Sequence, residues 1–199
     1  MKKNAKLLMA MGAGCFCVGS FWSGPAVEFL SVLLLRAHIP GIAYGRFSYT
    51  LIAPGVVIIG YIGGELLTPS KKWVIVGIMS VAGAAFVTFL WLFTEQTFKP
   101  FEYPDPGLTD ASFVLTYPTF WLLAFFIVYI LVFMGTGFAV KAKKSSGDIR
   151  RKFFYLALAF YIFVITAVID TILPGTILVG IFRSVMATFG LWIYLGLKV

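Results

Sequence analysis

The sequence has few charged residues, and this shortage decides the class of protein. Only 12% of its 199 residues are Asp, Glu, Lys or Arg, whereas 60% are apolar and 18% are aromatic. A soluble domain usually carries about 25% charged residues, which cover its surface. The composition therefore excludes a soluble domain and predicts an integral membrane protein with about six helices.

Histidine and cysteine are also scarce, which excludes several kinds of metal, haem and disulfide site. His38 is the single histidine, so neither a haem held by two histidines nor a His-rich metal centre has its ligands. Cys15 and Cys17 are two residues apart on a predicted helix and point in different directions, so they cannot form a disulfide with each other. The sequence also lacks GxSxG, HExxH and P-loop motifs. We predict a protein that is not an enzyme and has no cofactor and no metal.

Long apolar runs are what the sequence has instead. A helix needs about 20 apolar residues to cross a membrane. The predicted spans cover approximately 7–35, 47–67, 73–93, 118–140, 153–173 and 177–197. This pattern predicts an all-α fold, a polytopic membrane helical bundle that forms one domain over 1–199.

Two of these spans contain an internal proline. The first span follows a lysine-rich start that resembles a secretory signal peptide, but its apolar character continues to Leu35. We interpret it as one long helix bent at Pro25, with a re-entrant hairpin as the alternative. The second span is predicted to be kinked at Pro54.

A basic segment at 141–152, KAKKSSGDIRRK, determines the predicted orientation. Its cations are Lys141, Lys143, Lys144, Arg150, Arg151 and Lys152. Short basic loops stay on the cytoplasmic side of a membrane. With both termini inside, twelve of the sixteen Lys and Arg residues lie on the cytoplasmic side and three outside. We therefore predict a multi-pass protein of the cell membrane with both termini cytoplasmic and with 94–117 as an outer loop.

The net charge of +8 does not indicate nucleic-acid binding, because the basic residues lie in short loops beside apolar helices. The lipid bilayer and its anionic headgroups are the predicted partners of the basic segment, and a soluble partner is an alternative. Other membrane subunits or a second copy of the chain are further candidate partners.

Ionisable residues inside spans are costly and are the first candidates for function. Glu28, Arg46, Asp170 and Arg183 form the candidate intramembrane polar site. Asp170 and Arg183 flank the predicted turn at Pro174-Gly175 and differ by about 7–8 Å in depth, so we expect an ion pair. This pair either sets the helix register or lines a cavity. Glu28 is expected to face Arg46 or Arg183.

Two further polar residues receive structural interpretations. Glu65 lies beside Lys71 and Lys72, which predicts a salt bridge at the membrane interface. His38 is interpreted as an ordinary residue of the connection between the first two spans.

The last third of the chain resembles the multi-helix sensory membrane domains that precede histidine kinases in archaea and bacteria. The features that carry the resemblance are Arg150-Arg151 before the fifth span, Asp170 and Pro174 at its far end, and a final apolar helix. That family has seven spans, whereas we count six. The resemblance implies a sensor of a small ligand or of the membrane state that acts through a partner.

These observations leave three functions open. The leading hypothesis is a sensory or accessory membrane protein that binds a ligand or partner and signals by helix movement. A small channel or transporter would instead need a water-accessible cavity lined by Glu28, Asp170 or Arg183. A structural subunit of a larger complex would bury an apolar helix face against another chain.

Overall fold

The computed structural model of the chain describes residues 2–103, 107–172 and 177–197. This described part is helical and contains no β-strand, only one isolated β-bridge between Phe98 and Phe113. Six of its helices are long and apolar enough to cross a membrane, as the sequence predicts. They cover Lys6–Leu35, Gly41–Leu67, Pro69–Leu92, Pro118–Lys144, Gly147–Asp170 and Gly180–Leu197. The chain is therefore a multi-pass membrane protein.

The exposed surface of the spans is apolar. Between 17% and 44% of the most apolar window of each span is buried inside the protein, so the larger part faces outward. Leu35, Trp73 and Val81 are each at least 70% exposed. Apolar surface of this extent is unfavourable in water and favourable against lipid chains. The helices are therefore suited to a lipid surrounding.

The chain divides into two compact units, Met1–Ala124 and Phe125–Val199. Unit one begins with α1 (Lys2–Gly19), a 3-10 turn at Ser20–Trp22 and α2 (Ser23–Leu35). The helical path continues through the turn, so the first span is one helix and not a re-entrant hairpin. Pro25 has no N–H for the carbonyl of Phe21, four residues earlier, which explains why the helix tightens there.

The second span consists of α3 (Gly41–Tyr49) and α4 (Ile52–Leu67). The interruption at Thr50–Leu51 has the same cause as the first, because Thr50 lies four residues before Pro54. The span begins at Gly41 and not at 47 as predicted, because Pro40 is followed at once by helical backbone. Arg46 consequently lies inside α3.

The third span is a 3-10 turn at Pro69–Lys71 followed by α5 (Lys72–Leu92), which packs along α4. Small residues allow this packing: a Cβ on Gly60 would lie 3.1 Å from Met79 Cγ, and a Cβ on Gly83 would lie 3.3 Å from Ala53. Close approach of this kind provides the van der Waals contact that holds helices together in lipid.

The described residues of the 94–117 segment are more ordered than the polar loop that the sequence predicts. It begins with the short helix α6 (Thr94–Thr97). Its two ends then pair, because Lys99 N–H donates to Ser112 C=O at 2.8 Å and Val114 N–H donates to Thr97 C=O at 2.9 Å. Phe98 is almost fully buried between them. The two ends of the segment are therefore held together beside a buried aromatic ring.

Unit two starts within the fourth span, which comprises α7 (Pro118–Tyr129), a π-helix at Ile130–Thr136 and α8 (Gly137–Lys144). It continues with α9 (Gly147–Ile172), α10 (Ile177–Ala187) and α11 (Phe189–Leu197). The predicted turn at Pro174-Gly175 lies outside the described residues. In the core of this unit, the Phe138 ring is stacked on Phe160 with centroids 5.8 Å apart, and Phe160 contacts Phe189 edge-on at 5.5 Å.

The basic segment is mostly helical, contrary to the prediction of a loop over 141–152. Only Ser145 and Ser146 separate α8 from α9. Three lysines end α8, where cations are favourable next to the free carbonyls of a helix C-terminus. Gly147 begins α9 with a φ of 55°, a conformation that suits glycine and allows the tight turn.

Candidate functional site

Glu28 lies on α2 and is completely buried, with 0% of its surface exposed. A carboxylate in this position is stable only if hydrogen-bond donors surround it. The imidazole of His38 lies 2.6 Å from Oε1 through Nδ1. The backbone N–H of Ile39 donates to Oε2 at 3.0 Å, and the N–H of Thr109 donates to Oε1 at 3.1 Å. We call Glu28, His38, Ile39 and Thr109 the Glu28 clasp.

The end of α2 explains how two of these donors reach the carboxylate. Arg36 adopts the left-handed conformation, with φ 52° and ψ 36°, and its N–H donates to Val32 C=O at 3.1 Å. This ends the helix and turns the chain back over it. Ser31 supports the turn by donating its hydroxyl to Ala37 C=O at 2.7 Å. His38 and Ile39 are thereby placed above Glu28.

The third donor comes from the 94–117 segment, which is attached to α3 by further hydrogen bonds. The Tyr44 hydroxyl donates to Asp110 Oδ1 at 3.1 Å, next to Thr109. Gly41 N–H donates to the hydroxyl of Tyr103 at 3.0 Å. One carboxylate, Glu28, therefore joins three stretches of chain: α2, the 36–40 connection and the residues around Thr109.

Aromatic rings and glycines complete this attachment. Phe98, Phe113 and Tyr49 form a cluster in which the Phe98 and Phe113 centroids lie 4.9 Å apart. Gly45 faces the Phe98 ring, and any side chain at that position would overlap it. Glycine at position 45 is therefore required for close packing of the segment on α3.

Glu28 does not face an arginine as the sequence suggested; its partner is His38. This corrects two predictions, because His38 is not an ordinary loop residue. Arg46 donates instead from Nε to Thr94 Oγ1 at 3.2 Å and from Nη2 to Trp91 C=O at 2.8 Å. A neutral hydroxyl and a carbonyl therefore hold this guanidinium.

The predicted ion pair between Asp170 and Arg183 is confirmed. Arg183 Nε lies 2.9 Å from Asp170 Oδ1 and joins α9 to α10 within unit two. The two side chains remain 23% and 32% exposed, so the pair is only partly enclosed. Its geometry links neighbouring helices, which is what the register interpretation requires.

Glu65 forms the predicted type of salt bridge. Lys72 Nζ lies 2.8 Å from Glu65 Oε2, and the ammonium also lies 5.1 Å from the Tyr61 ring centroid and 5.0 Å from that of Trp73. A cation between two ring faces and a carboxylate is well stabilised. This group connects α4 to the start of α5 and has a structural role.

The basic segment presents most of its cations to the surroundings. Lys143, Lys144, Arg150 and Arg151 are exposed, whereas Lys141 and Lys152 are half-buried. Lys141 Nζ lies 5.8 Å from the Phe153 ring centroid. Asp148, in the first turn of α9, is exposed within the same stretch. The result is a positively charged surface around the Ser145–Ser146 turn.

The residues that sequence reasoning missed are those whose partners are set by long-range packing. Thr109 acts through its backbone N–H, which carries no sequence signal. Tyr44 and Asp110 lie 66 residues apart and meet only because the 94–117 segment folds onto α3. A helix that ends in the left-handed conformation usually has glycine or asparagine at that position. Arginine occupies it here, so the sequence gives no sign of the turn that places His38 above Glu28.

Among the described residues, no three His, Cys, Asp or Glu side chains lie together in a way that would hold a metal ion. Comparison of the chain with known protein families, with curated proteins and with solved structures finds no match.

Proposed function

We propose that the chain is a non-enzymatic integral membrane protein with a sensory or accessory role. The end of unit one that carries the Glu28 clasp responds to a ligand or partner, and helix movement passes the response on. One observation carries the proposal. A single, completely buried carboxylate holds together α2, the 36–40 connection and the 94–117 segment. A change in the hydrogen bonds of that carboxylate acts on all three at once.

The departures from α-helical geometry support a mechanism of helix movement. Within the described parts of the spans they lie at Ser20–Trp22, at Thr50–Leu51, at Ile130–Thr136 and at Thr188. Short 3-10 segments inside helices often mark hinges, and π-helical turns occur frequently at functional sites. The first of them directly precedes α2, which carries Glu28.

The basic segment is the proposed output surface. Its exposed cations suit anionic lipid headgroups or an acidic face of a soluble partner. The resemblance to sensory membrane domains likewise implies a protein that acts through a partner.

The burial of Glu28 argues against the transporter alternative. A transport carboxylate must meet water and substrate, whereas this one is 0% exposed and bonded to the protein at both oxygens. A structural subunit remains the competing function, and co-purification separates it from the sensor.

The proposal is tested by substituting Glu28 and measuring amide exchange in the basic segment. Hydrogen–deuterium exchange of the chain in lipid nanodiscs is compared for the native protein, Glu28→Gln and the control Glu95→Gln, which alters an exposed carboxylate. We expect Glu28→Gln to change amide exchange over 145–148 as well as at Ile39 and Thr109. A change limited to Ile39 and Thr109 would mean that the clasp is structural only.

Two further measurements separate the alternatives. Solute or ion flux through proteoliposomes that depends on Glu28 would establish a transporter. Purification in native nanodiscs followed by mass spectrometry would reveal other integral subunits in stoichiometric amounts, in which case the chain is a subunit of a complex.

A further inference from the structure

Arg46 is a cation without a carboxylate partner in the part of the chain that the structure describes. Its contacts are to neutral groups: Thr94 Oγ1, Trp91 C=O and the face of the Trp91 ring, whose centroid lies 4.6 Å from the Arg46 Cζ atom. A guanidinium close to the hydrocarbon layer gains further stabilisation when an anion neutralises its charge.

In the hydrogen bonds around Arg46, the donor and the acceptor can be assigned for each hydroxyl group. The Thr94 hydroxyl donates its proton to Leu90 C=O at 2.6 Å, so its oxygen accepts from Arg46 Nε. The Thr50 hydroxyl donates to Arg46 C=O at 2.7 Å, so its oxygen accepts the Trp91 indole N–H at 3.1 Å. Arginine and indole are thereby held together in a fixed orientation.

These hydrogen bonds use one edge of the Arg46 guanidinium, and a second edge takes no part in them. Nε–H and one Nη2–H point in the same direction and serve Thr94 and Trp91. The terminal edge, formed by Nη1–H and the second Nη2–H, has no acceptor within the described residues. Two parallel N–H groups on that edge match two oxygens of a phosphate or carboxylate.

The position along the helix identifies the surroundings. The span Gly41–Leu67 has 27 residues. Such a helix is about 40 Å long, so it exceeds the ~30 Å hydrocarbon layer by about 5 Å at each end. Arg46 lies five residues after Gly41, and its side chain tilts toward the helix N-terminus. Its guanidinium therefore reaches the level of the headgroups, where tryptophans such as Trp91 are also enriched.

The side chains next to this site are apolar and exposed. Phe47, Leu92 and Phe93 are 55%, 70% and 40% exposed, so lipid chains contact this surface. Glu95 follows Thr94 on α6 and is exposed, but it makes no ion pair with Arg46.

We propose that Arg46, braced by Thr94 and Trp91, binds the phosphate of a phospholipid headgroup while the acyl chains lie on Phe47 and Leu92. The terminal guanidinium edge donates to two phosphate oxygens, and the Trp91 ring covers one face of the cation. The site ties the end of unit one to one leaflet independently of any signalling role.

Photo-crosslinking tests the proposal at this position. Detergent-solubilised protein is exposed to phosphatidylglycerol that carries a diazirine near its headgroup, and the labelled peptides around 47 and 91–93 are quantified. We expect Arg46→Gln to weaken labelling at these peptides about tenfold, as the loss of charge-assisted hydrogen bonds predicts. Lys99→Gln, which removes an exposed cation in the segment that follows α6, is the control and should leave labelling unchanged.

Competition on the native protein provides a test that does not depend on the folding of a variant. Unlabelled phosphatidylglycerol should displace the probe, whereas diacylglycerol with the same chains and millimolar inorganic phosphate should not. Displacement by diacylglycerol would show that the phosphate is not recognised, and displacement by inorganic phosphate would assign the site to a free anion. Equal labelling of Arg46→Gln and native protein would also overturn the proposal. Labelling of Arg46→Lys should be intermediate, because lysine keeps the positive charge but lacks the two parallel N–H groups of the guanidinium.

Discussion

The Glu28 carboxylate receives hydrogen bonds from the 36–40 connection, which follows α2, and from Thr109 in the 94–117 segment. His38 and Ile39 follow it by ten and eleven residues, and Thr109 by eighty-one. Without the carboxylate, the half-buried N–H of Ile39 and the buried N–H of Thr109 would lose this acceptor. The cost of losing the interaction therefore includes the desolvation of the groups that remain.

Glu28→Gln should lower the free energy of unfolding by about 1–3 kcal/mol. A glutamine amide presents an NH2 group where one carboxylate oxygen accepted a hydrogen bond, so a donor meets a donor. Reversible unfolding in mixed micelles measures the loss. Glu95→Gln is the control, because that carboxylate is exposed and should change stability little. Equal stability of the two variants would contradict this view of Glu28.

The Asp170–Arg183 pair should show modest coupling. A double-mutant cycle with Asp170→Asn and Arg183→Gln should give a coupling energy of about 0.5–1 kcal/mol, because polar contacts between membrane helices are individually weak. Asp148→Asn, which changes an exposed carboxylate on the same helix, should combine additively with Arg183→Gln. Additive effects of Asp170→Asn and Arg183→Gln would mean that the pair is not maintained.

At the scale of helices, glycines decide which of them approach closely. Gly24 on α2 faces α3, and a Cβ there would overlap Ser48 and lie 2.8 Å from Tyr44 C=O. Backbone cannot move aside as a flexible side chain can. Gly12 in the same span is different, because a methyl group at that position would have no heavy atom of another described element within 4 Å.

We therefore expect opposite results for the same substitution at these two glycines. Gly24→Ala should destabilise unit one by about 1–3 kcal/mol, as overpacking does. Gly12→Ala should be neutral or stabilise by up to about 1 kcal/mol, since alanine favours helix. Thermal unfolding in detergent reports both. Similar melting temperatures for the two variants would show that α2 and α3 do not pack through Gly24.

For the whole molecule, the distribution of Lys and Arg predicts the orientation in the membrane. Cysteines introduced at Ser112 and Ser146, both exposed, test it in a background with Cys15→Ala and Cys17→Ala. A membrane-impermeant maleimide should label Ser112→Cys in intact cells and Ser146→Cys only after permeabilisation. The reverse pattern would place both termini on the opposite side.

The membrane class, the number of spans and the two proline-linked irregularities could all be read from local sequence. Hydrophobicity and the missing N–H of Pro25 and Pro54 act within one or two helical turns, so neighbouring residues are sufficient to predict them. The Asp170–Arg183 pair was accessible for the same reason, because its members are only thirteen residues apart on consecutive helices.

The partner of Glu28 and the role of Arg46 were decided by the tertiary structure. The choice of His38 over an arginine depends on the left-handed turn at Arg36, and the Thr109 contact depends on how the 94–117 segment packs on α3. Hydrogen bonds are short and directional, so a shift of one residue in a turn changes the partner. Burial of apolar surface has no such directionality, which is why composition predicts the membrane helices but not the groups that meet at their ends.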